Sequence, residues 1–156
     1  MNLLYPLAKR FIAGHDFDSA KPKIAKLMDE GYEVSIDYLG EKSSNQEDCF
    51  KARRQYIKII NYYSDQKIDI SLKPSQLGLE IHPLLSYLNI STIAKLASRY
   101  GHTVRLDMED SSVTEITRNQ KEFLLDWSRA HIKRIKVKLC KMRAIYNVLF
   151  LIMLRI

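Results

Sequence analysis

Three short apolar runs, VSIDYLG at 34 to 40, DISLK at 69 to 73 and TVRLDMEDSS at 103 to 112, begin about 35 residues apart, and each carries a charged residue near its end. A strand buried on both faces reads as nearly continuous Val, Ile and Leu, because helices cover one side and barrel packing fills the other. The repeat therefore predicts an α/β fold: part of a (β/α)8 barrel wall, with leading helices and about three βα units. In such a barrel the chemistry sits where strands end and βα loops begin, which singles out Asp37, Lys73 and Asp107.

Length sets the first limit. A whole barrel needs about 250 residues, and this chain has 156. Cys49 and Cys140 are far apart, with no metal-ligand spacing and no disulfide framework, so a reducing compartment is expected. The opening MNLLYPLAKRF lacks the core and cleavage site of a signal peptide, and no stretch reaches the ~20 apolar residues that span a bilayer, so the chain reads as soluble and cytoplasmic. His15, His82, His102 and His131 are scattered without i, i+4 pairing, which argues against a metal site. No G-x-G-x-x-G or P-loop is present.

Between the runs the spacing is helical. Residues 6 to 31 carry apolar stripes that Gly14 and Pro22 are expected to divide into two helices, with Asp18 and Ser19 as caps before Pro22. Residues 45 to 63 and 86 to 100 show the i, i+3, i+4 pattern of amphipathic helices. Gly31 and Gly101 stand where a left-handed residue ends a helix before a strand.

The net charge of +7 is unevenly placed. Residues 1 to 117 hold 15 Lys and Arg against 16 Asp and Glu, whereas residues 118 to 156 hold 10 against 2. No Gly occurs after residue 101 and no Pro after residue 83, so the punctuation of further βα units is missing. The alternating lysines of RIKVKLCKMR would put charge into a barrel wall, and NVLFLIML at 147 to 154 is too short to cross a membrane. Residues 118 to 156 thus read as a basic tail, an amphipathic helix or partly disordered, with the look either of a shifted reading frame or of an unusual natural ending. A competing function follows from this tail: a non-catalytic interaction protein that binds nucleic acid or an anionic membrane surface through it. The tail has no nucleic-acid reading motif.

Among the strand-end charges, Asp107 could cap the following helix, but Ser111 or Ser112, with Glu115 in capping-box position, suits that task better. Lys73 ends a buried strand and needs an anion, which the neighbouring strand end supplies in Asp107. A structural ion pair and a catalytic pair look alike at this level.

The strings KRFIAG (9 to 14), IDYLGE (36 to 41), SLKPSQLGL (71 to 79) and RLDMEDSS (105 to 112), in this order and spacing, resemble the N-terminal part of bacterial proline dehydrogenase. The resemblance covers residues 9 to about 117 and implies a distorted (β/α)8 barrel that binds FAD and oxidises L-proline to pyrroline-5-carboxylate. It implies Asp107 as an active-site residue, Lys73 in the substrate region and Met108 against the flavin. Asp37 and Glu41 would line the same mouth. It also implies that this chain lacks the later FAD-phosphate segments and the paired arginines that clamp the substrate carboxylate. The chain alone would then have neither tight FAD binding nor turnover. Unless the tail covers them, its three strands would leave two open sheet edges for self-association or for a complementing barrel fragment.

Overall fold

The computed structural model describes residues 12–40, 42–107, 114–130, 136–140 and 149–154, with side chains described for 13–40, 42–107 and 114–125. Strand β1 (Ile12–Gly14) leads into helix α1 (Phe17–Asp29). Three strand and helix pairs follow: β2 (Glu33–Tyr38) with α2 (Gln46–Tyr62), β3 (Asp69–Leu72) with α3 (Pro83–Arg99), and β4 (Thr103–Asp107) with α4 (Thr114–Ala130). Strands β5 (Lys136–Cys140) and β6 (Leu149–Leu154) complete one parallel sheet in the order β1-β6-β2-β3-β4-β5.

The three sequence runs become β2, β3 and β4, and the helices between them lie where the spacing placed them. Gly31 and Gly101 both close helices in left-handed backbone, at φ of 84° and 75°. Each forms a Schellman end: Gly31 N–H donates to Met28 O and Tyr32 N–H to Leu27 O, and the corresponding donors at α3 are Gly101 to Ser98 and His102 to Ala97. His82 caps α3, accepting from Leu84 N–H at 3.2 Å.

The leading segment departs from expectation. A strand and one helix occupy the described part of residues 6 to 31, and α1 runs unbroken through Pro22. Pro22 is exposed, so the carbonyl it deprives of a helical partner, that of Asp18, lies on the watered side. The cap is Asp16, which accepts from Ser19 N–H at 2.7 Å while Ser19 Oγ accepts from Asp16 N–H at 3.2 Å. Asp18 instead pairs with Lys21 and Lys58.

The described part of the tail is helix and then strand. Helix α4 runs to Ala130, and beyond it the described backbone is strand rather than helix. The reason lies in the pattern itself: KVKLC alternates with period two, and LFLIML is a short, continuous apolar run of the kind that fills a central strand. β6 lies between β1 and β2, pairing with β2 at six register positions, from Glu33 opposite Leu149 to Tyr38 opposite Leu154, while β5 extends the sheet beyond β4. The flanks of β2 and β4 are thus covered by the tail strands β6 and β5, and the sheet's end strands among the described residues are β1 and β5. No described helix is long and apolar enough to cross a membrane.

One hydrophobic layer holds the helices to the sheet. Val34 and Ile36 of β2, Ile70 and Leu72 of β3, and Val104 and Leu106 of β4 are buried against Ile24 of α1, Tyr56, Ile59 and Ile60 of α2, and Ile90 and Ile93 of α3. Burying each such aliphatic side chain is worth about 1.5–3 kcal/mol.

Candidate active site

The strands are not apolar on both faces as the sequence reading supposed. Alternation puts every second residue on the side away from the helices, and those residues are polar: Ser35 and Asp37, then Asp69 and Ser71, then Thr103 and Arg105. Parallel register aligns them in rows, Ser35 with Asp69 and Thr103, and Asp37 with Ser71 and Arg105. Lys73, directly after β3, and Asp107, the last residue of β4, continue this face at the C-terminal strand ends.

These groups form two ion-pair tiers. In the upper one Lys73 Nζ donates to Asp37 Oδ2 and stands 3.9 Å from Asp107 Oδ2. Asp37 is 2% exposed, whereas the Lys73 and Asp107 side chains keep 25% and 24%, so the ammonium and one carboxylate remain reachable from the open end. In the lower tier Arg105 clamps Asp69 through Nε and Nη2. All three strand-end residues singled out from sequence are therefore brought together. Met108 and Glu41 lie outside the described residues.

Sequence reasoning missed Ser71, 1% exposed, whose Oγ donates to Asp107 Oδ1 at 2.9 Å. It also missed the support behind it. Tyr56 of α2, fully buried, reaches through the apolar layer to donate to Ser71 O at 3.0 Å, with Gln76 Oε1 at 3.3 Å as its other acceptor. Burial, with the nearby Asp37 charge second, pushes the Tyr56 phenol well above its ordinary range, which keeps it a donor. Gln76 in turn donates to Tyr38 O at 3.0 Å, tying the loop after β3 to the end of β2. The signal for Ser71 was available in the alternation D-I-S-L-K, which puts Ser71 on the same face as Lys73.

Asp107 titrates above the usual carboxylate value of 3.8: burial raises it, against the lowering pull of the Ser71 hydrogen bond and then of Lys73. A raised carboxyl binds more protons in the folded chain than in the unfolded one. Its contribution to stability is therefore complete below 3.8 and is lost as the pH rises through the folded value. Asp107→Asn removes that titration, so its stability relative to the parent is expected to improve between acid and neutral pH. Urea midpoints measured across that range check it.

Among the described residues no three His, Cys, Asp or Glu side chains gather as a metal would need. Cys49 is buried in α2, and burial raises its thiol. His102 is buried and carries its two ring nitrogens 3.5 Å from Ile68 N and Ile60 O, a structural position.

The proline dehydrogenase family profile matches residues 20–135, most of the chain, including β2, β3, β4 and α4. The chain belongs to the proline dehydrogenase family. Proline dehydrogenase 2 of Bacillus subtilis strain 168 is 35% identical over 105 residues, which are 66% of this chain and 35% of that protein. Proline dehydrogenase of Deinococcus radiodurans is 30% identical over 122 residues, 75% of this chain and 39% of that protein. This proline dehydrogenase-family chain thus spans little more than a third of the length of these curated relatives. Its fold is also that of a solved structure, proline utilization A from Bdellovibrio bacteriovorus inactivated by N-propargylglycine. The two share a TM-score of 0.66 and 19% identity over 80% of this chain and 16% of that one.

Proposed function

We propose that the polar face of β2, β3 and β4 is one wall of a proline-oxidising site within a (β/α)8 barrel, and that Asp37, Lys73 and Asp107 are its substrate-facing groups. The observation that carries this reading is the bridge made by Lys73 between two carboxylates at the C-terminal strand ends, where a barrel does its chemistry. L-Proline presents an amine and a carboxylate on one rigid ring. Asp107, partly exposed and with a carboxyl that burial raises above its usual value, suits contact with the substrate nitrogen, which must lose its proton before oxidation. Lys73, neutralised chiefly by Asp37, keeps donor capacity for the substrate carboxylate.

In this reading FAD, when bound, supplies the acceptor for the hydride that leaves the carbon next to nitrogen. The described residues fit the substrate end of such a site but not a phosphate cradle. Gly31 and Gly101 sit at the opposite strand ends, while Gly14 packs against Ser19 and Ala20, Gly40 against Gln76, and Gly78 against Leu85 and Cys49. Met108, which follows Asp107 in the sequence, is the residue that the family resemblance puts against the isoalloxazine. The protein's share is orientation and electrostatics: it holds the ring and sets the proton balance at its nitrogen.

These 156 residues on their own are expected neither to retain FAD nor to turn over. Further barrel strands would pair at β1 and β5. The test is to purify the chain with FAD, record its flavin absorbance and follow dye reduction with L-proline. Background-level signals in both agree with this reading. Retained flavin together with proline-dependent reduction overturns the expectation of inactivity and leaves the site assignment standing.

A further inference from the structure

Asp107 has two carboxylate oxygens in different surroundings. Oδ1 accepts from Ser71 Oγ at 2.9 Å, while Oδ2 faces the Lys73 ammonium at 3.9 Å, too far for a hydrogen bond but within ion-pair range. Lys73 spends its close contact on Asp37. The residue that fixes the direction of the Asp107 carboxylate is therefore Ser71, one tier below it on the next strand.

Ser71 is itself held on both sides. Its backbone pairs with Asp37 of β2 and Arg105 of β4 in register, and its carbonyl accepts from the buried Tyr56 phenol at 3.0 Å. On so fixed a strand the hydroxyl can reach only its few staggered positions, and the one adopted here donates to Asp107 Oδ1. We propose that Ser71 is a positioning residue for Asp107: it occupies Oδ1 and so presents Oδ2 to the space beside Lys73, where the substrate ammonium would sit. The role in substrate binding rests on the proline-site reading, but the positioning itself does not.

Burial is the main influence raising the Asp107 carboxyl, and the Ser71 hydrogen bond is the first of those opposing it, ahead of Lys73. This ordering agrees with the geometry and makes the positioning measurable without any turnover. The side-chain carboxyl of Asp107 is titrated by carbon-13 NMR in the full chain and in its Ser71→Ala and Ser71→Thr variants. The expected result is an upward shift of the Asp107 midpoint in Ser71→Ala and its return in Ser71→Thr, which keeps the hydroxyl. A merely structural role would move thermal unfolding without that pattern of loss and rescue. An unchanged Asp107 midpoint in Ser71→Ala, or equal shifts in both variants, overturns the proposal.

Adding L-proline to the same samples separates the two levels. If Ser71→Ala moves Asp107 but L-proline perturbs neither Asp107 nor Lys73, the positioning stands and the proline-site reading fails. If L-proline perturbs both groups while Ser71→Ala leaves Asp107 unmoved, the positioning fails and the site reading stands.

Discussion

Replacing Lys73 with Met is expected to destabilise the chain by about 3 kcal/mol at neutral pH, near the lower end of what removing one partner of a buried pair costs. Asp37 is 2% exposed, and its close cation is Lys73. Without the ammonium, Asp37 and Asp107 face each other on one polar surface with less compensation, and keeping both ionised there costs more. The sign of the pH dependence follows: with the cation gone the carboxylates hold protons more strongly in the folded chain, so the deficit grows as the pH rises and shrinks on acidification. Urea unfolding of Lys73→Met against the parent at several pH values measures this. A uniform deficit across pH would mean that lost side-chain packing, rather than uncompensated charge, is responsible.

The second large effect separates the two faces of one strand. Ile36→Ala is expected to cost about 2–5 kcal/mol, because Ile36 is fully buried between sheet and helices and the space it leaves cannot close. Ser35→Ala, one residue away and equally buried, is expected to be close to neutral. Ser35 Oγ has no hydrogen-bond partner among the described residues, so removing it relieves an unsatisfied polar group and leaves the apolar layer intact. Thermal or urea midpoints for the two variants give the comparison. Equal losses would show that the polar face packs as a second core.

Much of this fold was legible because each strand and helix is specified locally. β2, β3 and β4 carry β-branched and aliphatic residues at every second position, α2 and α3 have clear helical spacing, and Gly31 and Gly101 mark helix ends through a conformation other residues avoid. What was misread depends on three-dimensional neighbours. Pro22 reads as a break, yet α1 tolerates it because the affected carbonyl is on the exposed side and Asp16 with Ser19 secures the start. LFLIML reads as a stray apolar end until a strand position between β1 and β2 is known to be available for it.

The candidate site was legible in part for the same reason. Charges at strand ends are visible in a linear sequence, which singles out Asp37, Lys73 and Asp107, and the fold brings the three together. Emphasis on continuous apolar runs hid the alternation that puts Ser71, Arg105 and Asp69 on their face. The brace from Tyr56 through Ser71 crosses 15 residues and two layers, and nothing in either residue's immediate sequence announces it.

The most direct measurement is an NMR titration of the isotopically labelled chain with L-proline, following the Lys73 side chain, the Asp107 carboxyl and the Arg105 guanidinium. A proline-facing wall at the C-terminal strand ends requires saturable shifts at Lys73 and Asp107, with the Arg105 and Asp69 tier unmoved. Saturable binding that leaves Lys73 and Asp107 silent, or that shifts Arg105 in their place, would contradict the assignment of the site.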